Sequence, residues 1–338
     1  MIVNKHHKPY DIAIELTFGC NRLCDFCGLG SIMKHKKNRK FQYMDIDLLE
    51  EIAKQIGSWL VKKRIEIVAR GEALLHPNIL EALTLLRQHA PKCQFQISTN
   101  GQILKTKGKK FVEELYKAGL NILLVDDYDN TPLLTEIGKS LKGVQYSNYY
   151  TDKSVNPYTY HSEKIKAYVL VPDIGTLSEK TRTTRKLVNV AGNVDWAKAK
   201  KVGIFPLRVP LQSKCVKMFR EIVIQYNGVI PVCCFDYRRE FVIAKFPEDG
   251  TLEQIWESKP YVMARHLLYN KKRFMAPCYK CDFKGGFRQG FLKDPFNEPV
   301  DDEQLKQWLV QHREKYSEYL DPDIKDPLFY KPIKRDFV

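Results

Sequence analysis

Three cysteines near the start of the chain have the type and spacing to do chemistry. Cys20, Cys24 and Cys27 form a C-x₃-C-x₂-C run after a β-type segment, and neighbouring glycines let the backbone curl. Three thiolates can hold an iron–sulfur cluster with one iron open to an exogenous ligand, whereas electron-transfer clusters usually take four. The alternative is a zinc site or a chance group of buried thiols, but zinc prefers paired C-x₂-C hooks. The spacing therefore favours a cluster with an open iron.

Five more cysteines lie after residue 210. Cys215 and a C-x₂-C hook at Cys278 and Cys281 accompany the adjacent pair Cys233 and Cys234. Four thiolates suit a closed site, which is either a [4Fe–4S] cluster or zinc. Adjacent residues of a strand point to opposite faces, so one of the pair serves easily. This alternation leaves open whether Cys233 or Cys234 is the fourth ligand.

The elements that must position these cysteines can be predicted from periodicity. From residue 10 to about 170, β-type runs alternate with helical periods, which predicts the α/β class, a parallel sheet and a partial (β/α)₆ barrel. Asp45 is predicted to cap the first long helix. The predicted strands are 12–16, 65–68, 95–97, 121–125, 144–146 and 167–171, and the predicted helices are 46–60, 79–89, 110–117 and 133–141.

The pattern changes after residue 205 to short β-rich runs. Two predicted strands, 221–226 and 229–232, are joined at Asn227-Gly228, a dipeptide typical of tight hairpins. One further helix is predicted over 301–316. The chain is thus predicted to contain a barrel domain (1–205), a small β-hairpin-plus-helix domain with the second cysteine set (206–290), and a helical extension and tail (291–338).

The first cysteine run resembles the motif of the radical S-adenosylmethionine (SAM) superfamily, C-x₃-C-x-aromatic-C after the first barrel strand, and Phe26 fills the aromatic position. The resemblance implies that Cys20, Cys24 and Cys27 hold a [4Fe–4S] cluster whose open iron chelates SAM. It implies reductive cleavage of SAM to a 5′-deoxyadenosyl radical, which takes hydrogen from a substrate. An external electron donor such as flavodoxin or ferredoxin is also implied.

Two strand ends resemble SAM-contact motifs of the same superfamily. Residues 70–73 are similar to G-G-E-P, although two of four positions differ, and a plain βα turn is the alternative reading. Residues 98–101 resemble the strand end that reaches the ribose. Asp126 and Asp127 follow the next strand and are interpreted as SAM or substrate contacts or as a solvated turn. The candidate SAM contacts are Phe26, Arg70, Gly71, Glu72, Ser98, Thr99, Asn100 and Asp126.

The second cysteine set resembles the Twitch domain, which is the short form of the SPASM extension of radical SAM enzymes. The resemblance rests on Cys215, the run from Asn227 to Cys233, residues 250–256, Arg265 and the final C-x₂-C hook. It implies one auxiliary [4Fe–4S] cluster held by Cys215, Cys233, Cys278 and Cys281. In relatives such a cluster takes an electron from a substrate radical, anchors substrate or relays electrons inward, and all three roles stay open.

Composition and charge limit the setting and the partners. The 338 residues are 44% hydrophobic and 28% charged, which excludes disordered, collagen-like and coiled-coil chains. Apolar runs are shorter than the ~18 residues of a membrane span, so a cytoplasmic protein without a membrane partner is expected. The net charge is +15, and basic runs at 34–40 and 105–110, with further cations between 182 and 201, fall near the predicted site. This bias predicts an anionic substrate such as DNA, RNA or a nucleotide.

Three functions follow from these observations. The leading one is an enzyme that abstracts hydrogen from an anionic substrate, such as a nucleic-acid base or nucleotide, and then rearranges or oxidises it; isomerase and oxidoreductase both stay open. The second is a dehydrogenase or cross-linking maturase acting on a sugar, alcohol or peptide. Because nineteen residues precede Cys20, a leader-guided maturase is expected to need a separate partner. The third is an iron–sulfur redox sensor or nucleic-acid-binding protein without enzymatic activity.

Overall fold

The computed structural model describes most of the chain. The described residues are 7–24, 26–33, 41–152, 154–172, 191–194, 210–283, 294–296, 300–325 and 327–330. The basic run at 34–40 and the cations between 182 and 201 lie outside them.

Among the described residues, seven parallel strands form the central sheet, in the order β7-β8-β6-β5-β4-β1-β9. Two small antiparallel pairs, β2 with β3 and β10 with β11, lie outside it. The strands are β1 (Asp11–Ile14), β2 (Thr17–Phe18), β3 (Gln42–Tyr43), β4 (Arg64–Glu66), β5 (Gln94–Thr99), β6 (Ile122–Asp126), β7 (Gln145–Asn148), β8 (Ala167–Val171), β9 (Glu221–Ile224), β10 (Val229–Pro231) and β11 (Val242–Lys245).

One face of this sheet is covered by the helices 46–59, 79–89, 102–117 and 132–140, each of which buries an apolar stripe in the core that it shares with the strands. On α2 the side chains of Leu49, Ile52 and Ile56 are fully buried at helical spacing and join one core with Ile12 and Ile65 of the sheet. The helices are α1 (Gly28–Met33), α2 (Ile46–Trp59), α3 (Ile79–His89), α4 (Gln102–Lys117), α5 (Pro132–Ser140), α6 (Lys217–Arg220), α7 (Leu252–Trp256), α8 (Lys259–Tyr269) and α9 (Asp302–Lys315).

The predicted α/β class and parallel sheet are confirmed, as is the cap of α2, where the Asp45 side chain accepts a hydrogen bond from the Asp47 backbone amide. The extent of α4 was predicted wrongly. It begins at Gln102, eight residues before the predicted start, and Gly108 interrupts its backbone with a φ of 68°. The basic run 105–110 therefore lies on this helix.

Strand β9 was predicted to pair with the next strand, but it pairs with β1. Asp11 faces Glu221 and Ile14 faces Ile224 in a parallel ladder, so a strand from beyond residue 205 completes the barrel sheet. The turn at Asn227-Gly228 is present, and the Gln225 amide bonds to the Val229 carbonyl. The ladder of β10, however, is made with β11. The hairpin prediction is thus right about the turn and wrong about the partner of β9.

A loop closes the amino end of the sheet interior. The side-chain oxygen of Gln94 accepts hydrogen bonds from the backbone amides of His161 and Ser162 at 2.7 and 3.2 Å, and its Nε2 donates to the Thr159 carbonyl at 3.1 Å. Arg64 donates to the Pro157 carbonyl. The interior of the sheet, which we call the lumen, is therefore bounded below by residues 156–162.

In the described part of the chain, every helix is too short or too polar to cross a bilayer.

Candidate active site and its two cysteine groups

The first cysteine group lies on the loop between β2 and α1. The Cys27 amide bonds to the Cys24 carbonyl at 3.1 Å, and the Gly30 amide bonds to the Cys27 carbonyl at 3.1 Å. A Cβ atom at Gly30 would lie 2.7 Å from the Cys24 carbonyl oxygen, so this tight loop requires glycine. Burial raises the pKa of Cys20 and Cys24 to about 11. These half-buried thiols are protonated at neutral pH and would lose their protons on binding a metal, as the ligands of an iron–sulfur cluster do.

An aromatic and ionic cluster fixes this loop. The Phe26 ring stacks on the Tyr128 ring, with 5.6 Å between the ring centres. The Arg22 guanidinium lies 4.7 Å from the centre of the Tyr128 ring. Arg22 also donates to Asp129 at 2.9 Å. Hydrogen bonds, the strongest from Lys105, lower the pKa of Asp129 to about 2. Sequence reasoning missed Tyr128 and Asp129, although they directly follow the strand-end aspartates that it singled out.

Glu72 joins the two predicted strand-end motifs. Its carboxylate accepts hydrogen bonds from the Thr99 hydroxyl at 2.8 Å and from the Asn100 backbone amide at 2.9 Å. The Asn100 side-chain amide donates to the Cys20 sulfur at 3.3 Å and to Asn21 at 2.9 Å. A continuous hydrogen-bonded chain thus runs from the end of β4, through the end of β5, to the first cysteine.

Gly71 allows two backbone segments to touch. A Cβ atom there would lie within 1.9 Å of the Thr17 carbonyl oxygen and 2.7 Å of the Gly19 oxygen. The next residue, Glu72, donates its amide to the Gly19 carbonyl at 2.9 Å. The cysteine loop therefore docks on this turn through backbone atoms.

We predict that Gly71→Ala lowers the free energy of unfolding by about 3 kcal/mol, because the clashing atoms are backbone and cannot move aside cheaply. Urea denaturation of the metal-free protein measures this. The control is Gly143→Ala, where no atom lies within 4 Å of the new Cβ and the cost comes from the φ of 69°. We expect this variant to lower the free energy of unfolding by about 1 kcal/mol. Equal losses for the two variants would contradict the steric explanation.

The Arg70 side chain is occupied by protein partners. It makes a two-pronged ion pair with Glu15, at 2.7 Å for both contacts, and donates to the Tyr237 carbonyl at 2.8 Å. The guanidinium also lies over the Phe18 ring at 4.5 Å. The Arg70 backbone amide also donates to Glu15 at 3.2 Å, so any contact of Arg70 with a cofactor would use its backbone carbonyl.

The remaining predicted contacts divide between the rim and the interior. Asp126 is half-buried and lies within electrostatic range of Cys24. Asp127 is buried and accepts the Thr131 amide at 2.7 Å, so it stabilises the turn and is not solvated. The Ser98 hydroxyl faces Glu66 at 3.5 Å.

The second cysteine group surrounds one small cavity. Its lining includes the four predicted ligands Cys215, Cys233, Cys278 and Cys281, together with Lys217 and Arg273. Cys234 does not belong to that lining in the described residues.

Cys234 lies instead beside an ion pair. Its backbone amide donates to Glu221 at 3.4 Å, and its thiol interacts with both Lys217 and Glu221, which are themselves 3.0 Å apart. The two adjacent cysteines thus have different surroundings, but they lie in the turn after β10 and not on a strand, so the alternation of strand side chains that the sequence suggested is not the reason. This arrangement favours Cys233 as the fourth ligand.

Arg273 holds the two ends of this second group together. It donates to the Ser213 carbonyl at 2.9 Å and to the Lys214 carbonyl at 3.1 Å on one side, and to the Phe283 carbonyl at 2.8 Å on the other. These residues flank Cys215 and Cys281. Sequence reasoning missed Arg273, since only its contacts reveal the role.

The donor set of the second group fits an iron–sulfur cluster. In the described residues no three His, Cys, Asp or Glu side chains converge closely enough to hold a single metal ion. A tetrahedral zinc site would need sulfurs about 4 Å apart, whereas a four-iron cluster holds its thiolates further apart. Four sulfurs around one cavity therefore match the cluster better than zinc.

Tyr237 connects the two cysteine groups. Its hydroxyl hydrogen-bonds with the Cys27 thiol, and it lies within electrostatic range of Cys234. A Cβ atom on Gly28 would lie 3.1 Å from its ring. The loop after Cys233 is thus packed directly against the first cysteine loop.

The lumen side of the central strands carries partly exposed side chains. On the central strands Ile12, Ile65 and Ile97 are fully buried under the helices, while the alternate residues Ala13, Glu66 and Ser98 are half-buried. Since these strands have neighbours on both sides, the partly exposed side chains face open interior space.

Comparisons with known proteins agree with this geometry. The family model of the radical SAM superfamily matches residues 14–126, and that of SPASM, an iron–sulfur cluster-binding domain, matches residues 215–282. The structure of BtrN in complex with AdoMet and 2-DOIA is similar at a TM-score of 0.60 and 19% identity, covering 82% of this chain and 94% of BtrN. The structure of BtrN in an open conformation is similar at a TM-score of 0.51 and 15% identity, and the match covers 87% of this chain and 99% of BtrN. The structure of anSMEcpe with bound AdoMet has a TM-score of 0.47 and 16% identity, and the match covers 92% of this chain and 97% of anSMEcpe.

Comparison with curated protein sequences gave no significant match. The two family matches, however, contain both cysteine groups: the first spans Cys20 to Cys27, and the second begins at Cys215 and includes Cys281. The chain is therefore a radical SAM enzyme with a SPASM-type domain, and its cofactors are S-adenosylmethionine and [4Fe–4S] clusters.

Proposed function

We propose that the protein is an oxidoreductase that removes hydrogen from a small polar substrate held in the lumen. The observation that carries this proposal is the position of Lys217. It lines the cavity of the second cysteine group and also lies within electrostatic range of Glu66 in the lumen. A substrate there would lie between the two cysteine groups. Loss of a hydrogen atom, one proton and one electron would complete its oxidation.

The chain's residues have distinct proposed roles. Cys20, Cys24 and Cys27 hold the cluster that binds SAM, and the second group holds the auxiliary cluster through Cys215, Cys233, Cys278 and Cys281. When bound, these cofactors supply the 5′-deoxyadenosyl radical and an acceptor for the substrate's electron. The proposed SAM contacts are Phe26, Gly71, Glu72, Ser98, Thr99, Asn100 and Asp126, with Arg70 through its backbone.

An anionic substrate, such as a nucleic acid or nucleotide, is the second candidate, and the net charge of +15 favours it. Two of the four lysines in the described basic run 105–110, however, are paired within the protein. Lys105 bonds to Asp129 at 2.8 Å, and Lys109 to Glu113 at 3.5 Å. Affinity for an oligonucleotide that falls steeply with salt would support this candidate, and absence of binding at low salt would dismiss it.

Anaerobic reconstitution tests the proposed function. We expect about eight irons per chain, and 5′-deoxyadenosine on addition of reductant and SAM. Flavodoxin or ferredoxin, with its reductase, replaces the chemical reductant in a parallel assay. Iron without nucleoside product would contradict the proposal and favour a redox sensor.

A further inference from the structure

Three polar side chains form a strip on the lumen side of β4 and β5. Glu66 and Gln96 are direct partners in the parallel ladder, and Ser98 follows Gln96 by two residues on the same face. The Ser98 hydroxyl lies 3.5 Å from Glu66. We call Glu66, Gln96 and Ser98 the polar strip.

Gln96 is fully buried, and neither its side-chain oxygen nor its side-chain nitrogen has a hydrogen-bond partner among the described residues. Leaving such a group unpaired costs about 1–3 kcal/mol. Gln94, two residues earlier, is equally buried, but both its side-chain oxygen and its side-chain nitrogen are hydrogen-bonded to residues 159–162. The contrast on one strand marks Gln96 as unsatisfied by the fold itself.

Glu66 is under-compensated in a similar way. Its only ion-pair partner among the described residues is Arg64, at 3.2 Å, and Arg64 also pairs with Asp11 at 3.1 Å, while Lys217 acts on Glu66 only from a longer distance. A quarter of the Glu66 side chain remains exposed, although it lies on a central strand. Burial raises the pKa of Glu66 in spite of Arg64, so its carboxylate would gain from another hydrogen-bond donor.

We infer that the polar strip binds a small polyhydroxylated substrate, whose hydroxyl groups donate to Glu66 and pair with both atoms of the Gln96 amide. This rests on the proposed function, because it names the substrate class of the same lumen. A neutral polyol fits the strip since it both donates and accepts hydrogen bonds. A phosphate would meet the Glu66 carboxylate with like charge.

A pair of substitutions on β5 tests the strip without knowledge of the substrate. Gln96→Leu is expected to raise the melting temperature of the reconstituted protein by about 2–4 °C, because it removes unpaired buried groups. Gln94→Leu should lower it by at least as much, because it breaks three hydrogen bonds. If Gln96→Leu destabilises the protein as Gln94→Leu does, the amide is structural and the inference is overturned.

Binding of probes provides the second test. Myo-inositol, D-glucose and D-glucose 6-phosphate are titrated into the SAM-loaded holoprotein by calorimetry. We expect at least one neutral polyol to bind, about tenfold more weakly to Glu66→Gln and to Gln96→Leu. The surface variant Glu113→Gln should bind as the unsubstituted protein does.

Tighter binding of the phosphate ester, or no binding of either polyol, would overturn the inference. These outcomes are distinct from failure of the proposed function, since binding is measured without turnover. A protein that binds polyols but forms no 5′-deoxyadenosine would refute the chemistry and retain the site.

Discussion

Cys24→Ala is expected to abolish 5′-deoxyadenosine formation and to remove about half of the iron from the reconstituted protein. With two of three thiols left, the first group cannot hold a cluster with an open iron, while the second group is untouched. Iron and sulfide analysis, electron paramagnetic resonance with and without SAM, and product chromatography measure the result.

The matched control is Cys93→Ala. Cys93 is buried away from both groups, and its thiol donates to the Leu60 carbonyl at 3.5 Å. The Cys93→Ala protein should keep all of its iron and form 5′-deoxyadenosine as the unsubstituted protein does. A Cys24→Ala protein that still cleaves SAM would show that the first group is not the SAM-binding site.

The iron content of two single variants should show which of the adjacent residues Cys233 and Cys234 binds the second cluster. Cys233→Ala should lose about four irons, because it removes one of the thiols around the second cavity, whereas Cys234→Ala should lose none. The signal of the first cluster on SAM addition should persist in both variants. Both are Cys→Ala changes at half-buried positions one residue apart, so each controls for the other.

Reversal of this pattern would assign the ligand to Cys234. Loss of iron in both variants would point to a structural requirement for the whole loop, and a double variant Cys233→Ser/Cys234→Ser would then separate packing from ligation. Retention of iron in both would refute the proposed four-cysteine site.

Local pattern was sufficient for much of the fold. The bounds of α3 were predicted correctly because its apolar residues recur at helical spacing, and β8 because five buried residues form one continuous run. The pairing of β9 with β1 was missed, since residues 11 and 221 share no local pattern. The Asn227-Gly228 turn is a local feature and was predicted.

In the site, too, local sequence patterns revealed some residues, whereas others are revealed only by contacts between residues distant in the chain. Glu72 and Asn100 were singled out because the carboxyl ends of parallel strands meet at one rim. Gln96, Arg273 and Tyr237 were missed, because their importance arises from contacts, or lack of contacts, with residues far away in the chain. A buried glutamine in a strand reads as an ordinary polar residue until its surroundings are known.

The position of β9 has a consequence for how the protein is made. Because the last strand of the sheet comes from residues 221–224, a ribosome must release most of the chain before the hydrogen-bonding edge of β1 is covered. A fragment ending at the predicted boundary near residue 205 would present that bare edge to other molecules. Such a fragment should therefore aggregate, and the nascent chain should need protection by chaperones until synthesis has passed β9.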